Sequence, residues 1–348
     1  MDWLRLFRGR RRRPLSRVSP RVAPRPAPAI PAAPGEAHPL DLTTGLEAEL
    51  SRGELRAEVE RILREEWEGA AGIADRDFLS ALSRAVARDG LQLPPMPEAM
   101  LRVQRLVDSP DCDVATLARE LERDPTLATK IVGVANSTYY AGLEPVSSLR
   151  DAVIRIGLRE TRNIVLVISM RSKVFRIPGF RSETEALWRH SLAASITTQE
   201  AAALGRLDPD QGFLAGLVHD LGRIAMLMVS GEVLQASRGR SSAVPEAFGA
   251  ILDRVHTPLS ALLAESWHLP SDLVEALYWH HAPEGAPEAS RALARAIRAG
   301  DLLAHDLESA SEAPSDPEAL LEVGLDAEAA GDVLQEAAPR FQAIAKAL

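Results

Sequence analysis

The chain has 348 residues, is 46% apolar and 4% aromatic, and carries one cysteine and a net charge of −9. The apolar share supports one large or two modest folded cores, the lone Cys112 excludes an internal disulfide framework, and a composition dominated by Ala, Leu, Arg and Glu favours helices over sheets. The charge is divided: residues 1–38 hold nine Arg against Asp2 and Glu36, a balance of +7 that leaves −16 for the remainder, so the folded body gives no reason to expect a specific nucleic-acid partner.

Residues 1–40 begin with "MDWLRLFRGRRRR" and continue through a stretch rich in Pro, with eight prolines in all. Proline cannot continue a helix or donate to a strand ladder, so this basic segment is expected to be a disordered tail. Trp3, Leu4, Leu6 and Phe7 beside Arg5, Arg8 and Arg10–Arg13 could give weak contact with an anionic membrane. The segment lacks the continuous apolar stretch of a signal peptide, and the longest apolar runs, Ile164–Met170 and Ile224–Val229, fall short of a membrane span. A cytoplasmic location is therefore expected.

Residues 41–90 read as a helical extension. Leu46, Leu50, Leu55, Val59, Ile62 and Leu63 recur at helical spacing, and Asp75 or Asp77 could cap a second helix running through Val86. From Leu93 a proline-rich entry leads into "EAMLRVQRLV". Asp113 is a plausible cap for "VATLAREL", and Pro125 marks the next boundary. Ser147 or Ser148 would cap "LRDAVIRI", which Gly157 would stop. Beyond 181 the pattern stays helical, apart from 231–243, which reads as a loop or helix end; 316–348 reads as two small helices. No sustained period-two alternation occurs, so an all-α fold is expected.

Six of the eight histidines, His190, His219, His256, His268, His280 and His281, fall in or beside apolar-periodic helices. Imidazole and carboxylate suit Fe, Mn or Zn. The adjacent pair His219–Asp220 projects about 100° apart on a helix, so both can serve one cavity, and a metal there would activate water as a nucleophile. His190, then His219–Asp220 in "LVHDLG", then Asp301 follow the order H…HD…D, which resembles the HD superfamily of metal-dependent phosphohydrolases. Within that superfamily, "LPPMPEAMLRV", "LERDPTLATKIVGVANSTYY", "VSSLRDAVIRIGLRETRNIVL", "HTPLSALLAESWHLP" and "ALYWHH" resemble the HDOD domain over about Leu93–Ser309.

The resemblance implies an N-terminal helical subdomain, about 91–180, packed on an HD-like bundle, about 181–310; the C-terminal helices over 311–348 lie beyond it and are read from their own pattern. It implies a bacterial signal-transduction regulator acting through partner signalling proteins. It also implies His190, His219, Asp220 and Asp301 as metal ligands, with His256, His280 and His281 standing where the cyclic-di-GMP phosphodiesterase relatives place further ligands. The alternative is a phosphohydrolase acting on a cyclic dinucleotide or nucleotide, with Asp220 and Arg223 as catalytic candidates. Against turnover, no Gly-Tyr-Pro follows His280–His281, and Arg223 stands where that branch has Lys. Arg162 and Arg223 could face an anion, with pairing as the default. Asn136 and Ser137 read as turn chemistry, and Trp188, Trp267 and Trp279 as core or cavity wall. His268 and His305 read as surface or structural residues, and His38 lies in the tail.

Overall fold

The computed structural model describes residues 51–70, 73–87, 94–107, 109, 112–236 and 248–348. The tail 1–40, Leu46, Leu50 and Leu93 lie outside them. Among the described residues there are fifteen α-helices and no strand.

Local chemistry sets most helix starts. Helix α1 (Arg52–Gly69) opens on a capping box, with Ser51 and Glu54 each accepting from the other's backbone amide. After α2 (Ile73–Ala87) and α3 (Glu98–Val107), Asp113 caps α4 (Val114–Leu121) by accepting from the Thr116 amide at 2.7 Å. Asp124 caps α5 (Pro125–Ala135), where Pro125 takes the first turn, a position with no amide bond to lose. Ser148, not Ser147, caps α6 (Leu149–Ile156). Gly157, at φ +90°, then turns the chain directly into α7 (Leu158–Lys173).

Two sequence expectations are corrected and a third is narrowed. Helix α2 begins at Ile73, so neither Asp75 nor Asp77 caps it; both fall inside the helix. The 231–243 stretch opens as a helix end, one of the two readings offered for it: α10 (Leu221–Ala236) runs into it with Val233 and Leu234 packed against the core, and residues 237–247 lie outside the described set. The C-terminal region holds one short helix, α14 (Pro317–Glu322), and one long one, α15 (Ala327–Ala347), whose face of Val333, Leu334, Ala337, Phe341 and Ile344 is buried.

The centre of the molecule is α8 (Arg181–Leu204), buried along most of its length. Around it pack α9 (Pro209–Val218), α13 (Glu288–Glu308) and α15, while α10, α11 (Phe248–Ser266) and α12 (Ser271–Trp279) complete the bundle. The extension α1–α2 packs on α10 and α11, where Arg254 pairs with Glu65 and Glu66. Pro209–Gln235 is apolar enough by composition to cross a bilayer, but 94% of its window is buried here. Cys112 is half-buried against the core.

Helix α15 bridges both halves of the domain. Arg340 donates to both Glu160 oxygens on α7, at 2.8 and 2.6 Å, and to Gln199 on α8 at 2.7 Å; Tyr140 donates to the same Glu160. The guanidinium is almost wholly buried, so removing it strands a partly buried carboxylate. Arg340→Ala is expected to cost about 3 kcal/mol, the lower end for breaking a buried pair. Urea denaturation checks this, and a loss near zero would show that the network does not hold α15.

Candidate metal centre

Two histidines acquire their tautomer from helix ends. A helix leaves its last carbonyls without intrahelical partners. His219 and His280 are the residues closing α9 and α12, and each Nδ1 lies against the carbonyl three residues back, Gly216 O at 2.8 Å and Leu277 O at 2.7 Å. A carbonyl only accepts, so Nδ1 carries the proton and each Nε2 is left with its lone pair. Both Nε2 atoms are buried and have no hydrogen-bond partner. His256, within α11, is set the same way by Leu252 O at 3.2 Å.

Close helix crossings bring these groups together. A Cβ on Gly300 of α13 would lie 2.0 Å from Thr198 Oγ1 on α8, so only glycine permits that approach. From this crossing the two helices run antiparallel, which places Asp301 and Glu308 along His190: His190 Nε2 is 3.2 Å from Asp301 Oδ1, and His190 Nδ1 is 3.2 Å from Glu308 Oε2. Similarly, a Cβ on Gly222 would lie 2.0 Å from His256 O, so α10 meets α11 beside His219–Asp220.

All seven residues expected as ligands converge. His190, His219 and Asp220 form one group, and His256, His280 and His281 another, each with ligand atoms within 4.8 Å of one another. Asp220 touches both groups, with Oδ2 3.8 Å from His219 Nε2 and Oδ1 3.5 Å from His256 Nε2. Asp301 Oδ1 lies 3.8 Å from His219 Nε2. Ligands held 2.0–2.2 Å from one ion lie about 3.0–3.5 Å apart, so small adjustments suffice. His256 Nε2 and His281 Nε2 are 2.9 Å apart. The Arg298 guanidinium donates to His281 Nδ1, so His281 holds a proton on Nε2 and directs it at the His256 lone pair, where a cation could take its place. The two orphaned nitrogens and this donor set fit divalent transition metals.

The electrostatics divide the cavity. Burial pushes His256 down to about 3, helped by Arg223, and drives His280 well below the ordinary imidazole range. Burial also lowers His281. Burial would lower His190 too, but its bonds to Asp301 and Glu308 outweigh that and raise it to about 10. Burial opposes ionisation of Asp220 and Asp301, yet the Arg223 charge holds the first, and the His190 bond the second, well below the usual carboxylate range.

The other candidates sort differently. Arg223 does not face open space: it donates to Asp220 Oδ2 at 2.8 Å and to Asp253 at 2.7 Å, which makes it a brace for the shared carboxylate. Arg162 pairs with Asp210 at 2.7 Å. Asn136 bridges both polar groups of Val146, and Ser137 donates to Val134 O, in keeping with turn chemistry. Trp188 stacks under Arg171, Trp267 donates to Pro94 O at 2.8 Å, and Trp279 packs over Gly285. His268 closes α11 with φ +57°, a left-handed turn. His305, expected as a surface or structural residue, is partly exposed, and its ring lies over His190 at 4.7 Å with its Nε2 3.7 Å from Asp301 Oδ1. Its spacing of four from Asp301 on one helix was the available signal.

The family model of the HDOD domain matches residues 93–283, a span that includes every expected ligand except Asp301. A metal-dependent phosphohydrolase, so named provisionally, from Shewanella amazonensis SB2B aligns with 82% of this chain and 99% of its own at 21% identity and a TM-score of 0.58. An HDOD domain protein with unknown function from Geobacter sulfurreducens aligns with 84% and 97% at 21% identity and a TM-score of 0.55. A provisionally named signal transduction protein from Marinobacter aquaeolei VT8 aligns with 78% and 64% at 25% identity and a TM-score of 0.52. An uncharacterised Treponema pallidum protein is 25% identical over 241 residues, which are 66% of this chain but 45% of that protein's length.

Protonation predicts a pH dependence for the metal-free protein. Folded His256 and His280 stay neutral well below the unfolded imidazole value of about 6.5, so their contribution is present above that value and is lost as pH falls. His190 acts oppositely: its contribution is present below about 6.5 and is lost as pH rises through about 10. The melting temperature of metal-free protein should therefore fall between pH 7 and pH 5, before the carboxylates titrate. A flat profile over that range would mean the histidines are not buried neutral.

Proposed function

The chain belongs to the HDOD domain family, and from that premise we propose that it is a signal-transduction regulator whose HD cavity binds divalent transition metal, Fe, Mn or Zn, and through it a phosphoester ligand. One observation carries the reading: two buried imidazole nitrogens, on His219 and His280, have no hydrogen-bond partner among the described residues. A buried polar atom left unsatisfied costs free energy, and coordination would satisfy both at once. His190, His219, Asp220 and Asp301 would hold one ion, and His256, His280 and His281 a second, with Asp220 shared. When bound, such ions supply Lewis acidity toward a phosphoryl oxygen and a nucleophile at neutral pH.

The chain's own groups have separate tasks. Arg223 fixes the Asp220 carboxylate through a brace anchored on Asp253. Glu308 holds His190, which must give up its Nε2 proton to act as a ligand. Arg298, half-buried near the exposed His281, adds positive charge for a ligand's phosphate. A cyclic dinucleotide or nucleotide suits that charge, and signalling proteins in the cytoplasm are the proposed partners.

Hydrolysis is the second reading, favoured by the complete donor set. The brace on Arg223 weighs against it, because that cation is already committed to two carboxylates. The deciding test is metal content of untagged protein purified without chelator, set beside His219→Ala with Asp220→Ala. Near-stoichiometric transition metal that disappears in the variant is expected. Turnover of cyclic dinucleotides by the loaded protein would move the assignment to an enzyme, whereas no uptake after reconstitution with Fe, Mn or Zn would overturn both readings.

A further inference from the structure

Helix α13 places Asp301, His305 and Glu308 at intervals of four and three, which puts all three on one face. That face turns toward His190. Asp301 Oδ1 acts as a hub, 3.2 Å from His190 Nε2, 3.8 Å from His219 Nε2 and 3.7 Å from His305 Nε2. His190, Asp301 and His305 have ligand atoms within 4.8 Å of one another. His305 is 39% exposed in its side chain, so solvent was open to it. It instead lies nearly parallel over the His190 ring, tilted by 31°.

We propose that His305 is a further metal ligand at the His190, His219, Asp220 and Asp301 position, and that Glu308 is the residue that positions His190 there. This inference rests on the metal-binding reading of the cavity. The position then has three imidazoles and two carboxylates in place of two and two. Added imidazole favours Fe, Zn or Ni and does little for Mg, which prefers oxygen. Glu308 complements it from outside. His219, His256 and His280 orient their Nδ1 against backbone carbonyls, but His190 lies inside a long helix and meets a carboxylate. With its Nδ1 proton held by Glu308, His190 presents Nε2 to the ion, and the negative partner makes that nitrogen a stronger donor. Ala186, one turn before His190 on α8, offers no ligand, so the additional donors come from α13.

The experiment titrates the metal-stripped full-length chain with Zn2+, Co2+ and Mg2+, following stoichiometry, affinity and the Co2+ absorption spectrum. His305→Ala, His305→Gln and Glu308→Gln are compared with the unaltered chain, after melts confirm that the metal-free variants fold. Loss of His305 is expected to weaken Zn2+ at one of two positions at least tenfold, change the Co2+ spectrum and leave Mg2+ affinity unchanged. A purely structural role would not produce that collapse in selectivity. Glu308→Gln should weaken the same position by about 10–100-fold with the Co2+ spectrum largely kept. Should the unaltered chain bind no transition metal, the metal reading falls and this inference with it. Should it bind metal while both His305 variants match it in affinity and spectrum, only the role of His305 is overturned.

Discussion

Everything in the cavity depends on which ring nitrogen of each histidine carries the proton. At His219 and His280 that choice is made by an unspent carbonyl at a helix end, and at His256 by the carbonyl four residues back. Each is a short-range bond that needs no distant residue. Its consequence is long-range, because three lone pairs become fixed toward the cavity, that of His219 beside His190 and Asp220 and those of His256 and His280 beside His281. A cavity lined by neutral donors in a low-dielectric interior is costly to leave unsatisfied.

The scaffold meets that demand by bringing helices unusually close. Gly300 and Gly222 mark crossings where even one methyl group would collide with the neighbouring helix. Small residues such as Ala193, Ala194, Ala201 and Ala202 keep α8 slim where its neighbours pack. The antiparallel run of α8 and α13 then presents Asp301, His305 and Glu308 to His190. Removed from the cavity, Arg340 clamps α15 across α7 and α8 through Glu160 and Gln199, so the C-terminal helix joins the two halves of the domain.

Charge is balanced unevenly across the cavity. The His190 side carries a protonated imidazole between two carboxylates, while the His256–His280–His281 side stays neutral. A cation entering the first must displace a proton from a charged imidazole, whereas one entering the second meets neutral imidazoles, with the His280 lone pair free and the His256 lone pair holding the His281 proton. The two positions therefore differ in their response to pH although they share Asp220. Arg223, which the sequence offered as a catalytic candidate, belongs to this balance as the counter-charge of Asp220.

Much of this was legible in the sequence. The helical pattern was legible from α1 to the C-terminal pair α14 and α15, Asp113 and one of Ser147 or Ser148 were legible as caps, and the order of His190, His219–Asp220 and Asp301 pointed to the cavity, because these signals are local or depend only on order. Tertiary structure decided the rest. Asp75 and Asp77 looked like caps but fell inside α2, since side-chain type does not specify where a helix starts when several acids compete. Arg223 took the paired state that was its default, through Asp220 and through Asp253 thirty residues away, and His305 was drawn onto His190 by a helix crossing at Gly300. Sequence by itself determined the donors and their order; only packing decided which of them face one another, because contacts between distant segments depend on how closely two helices can approach.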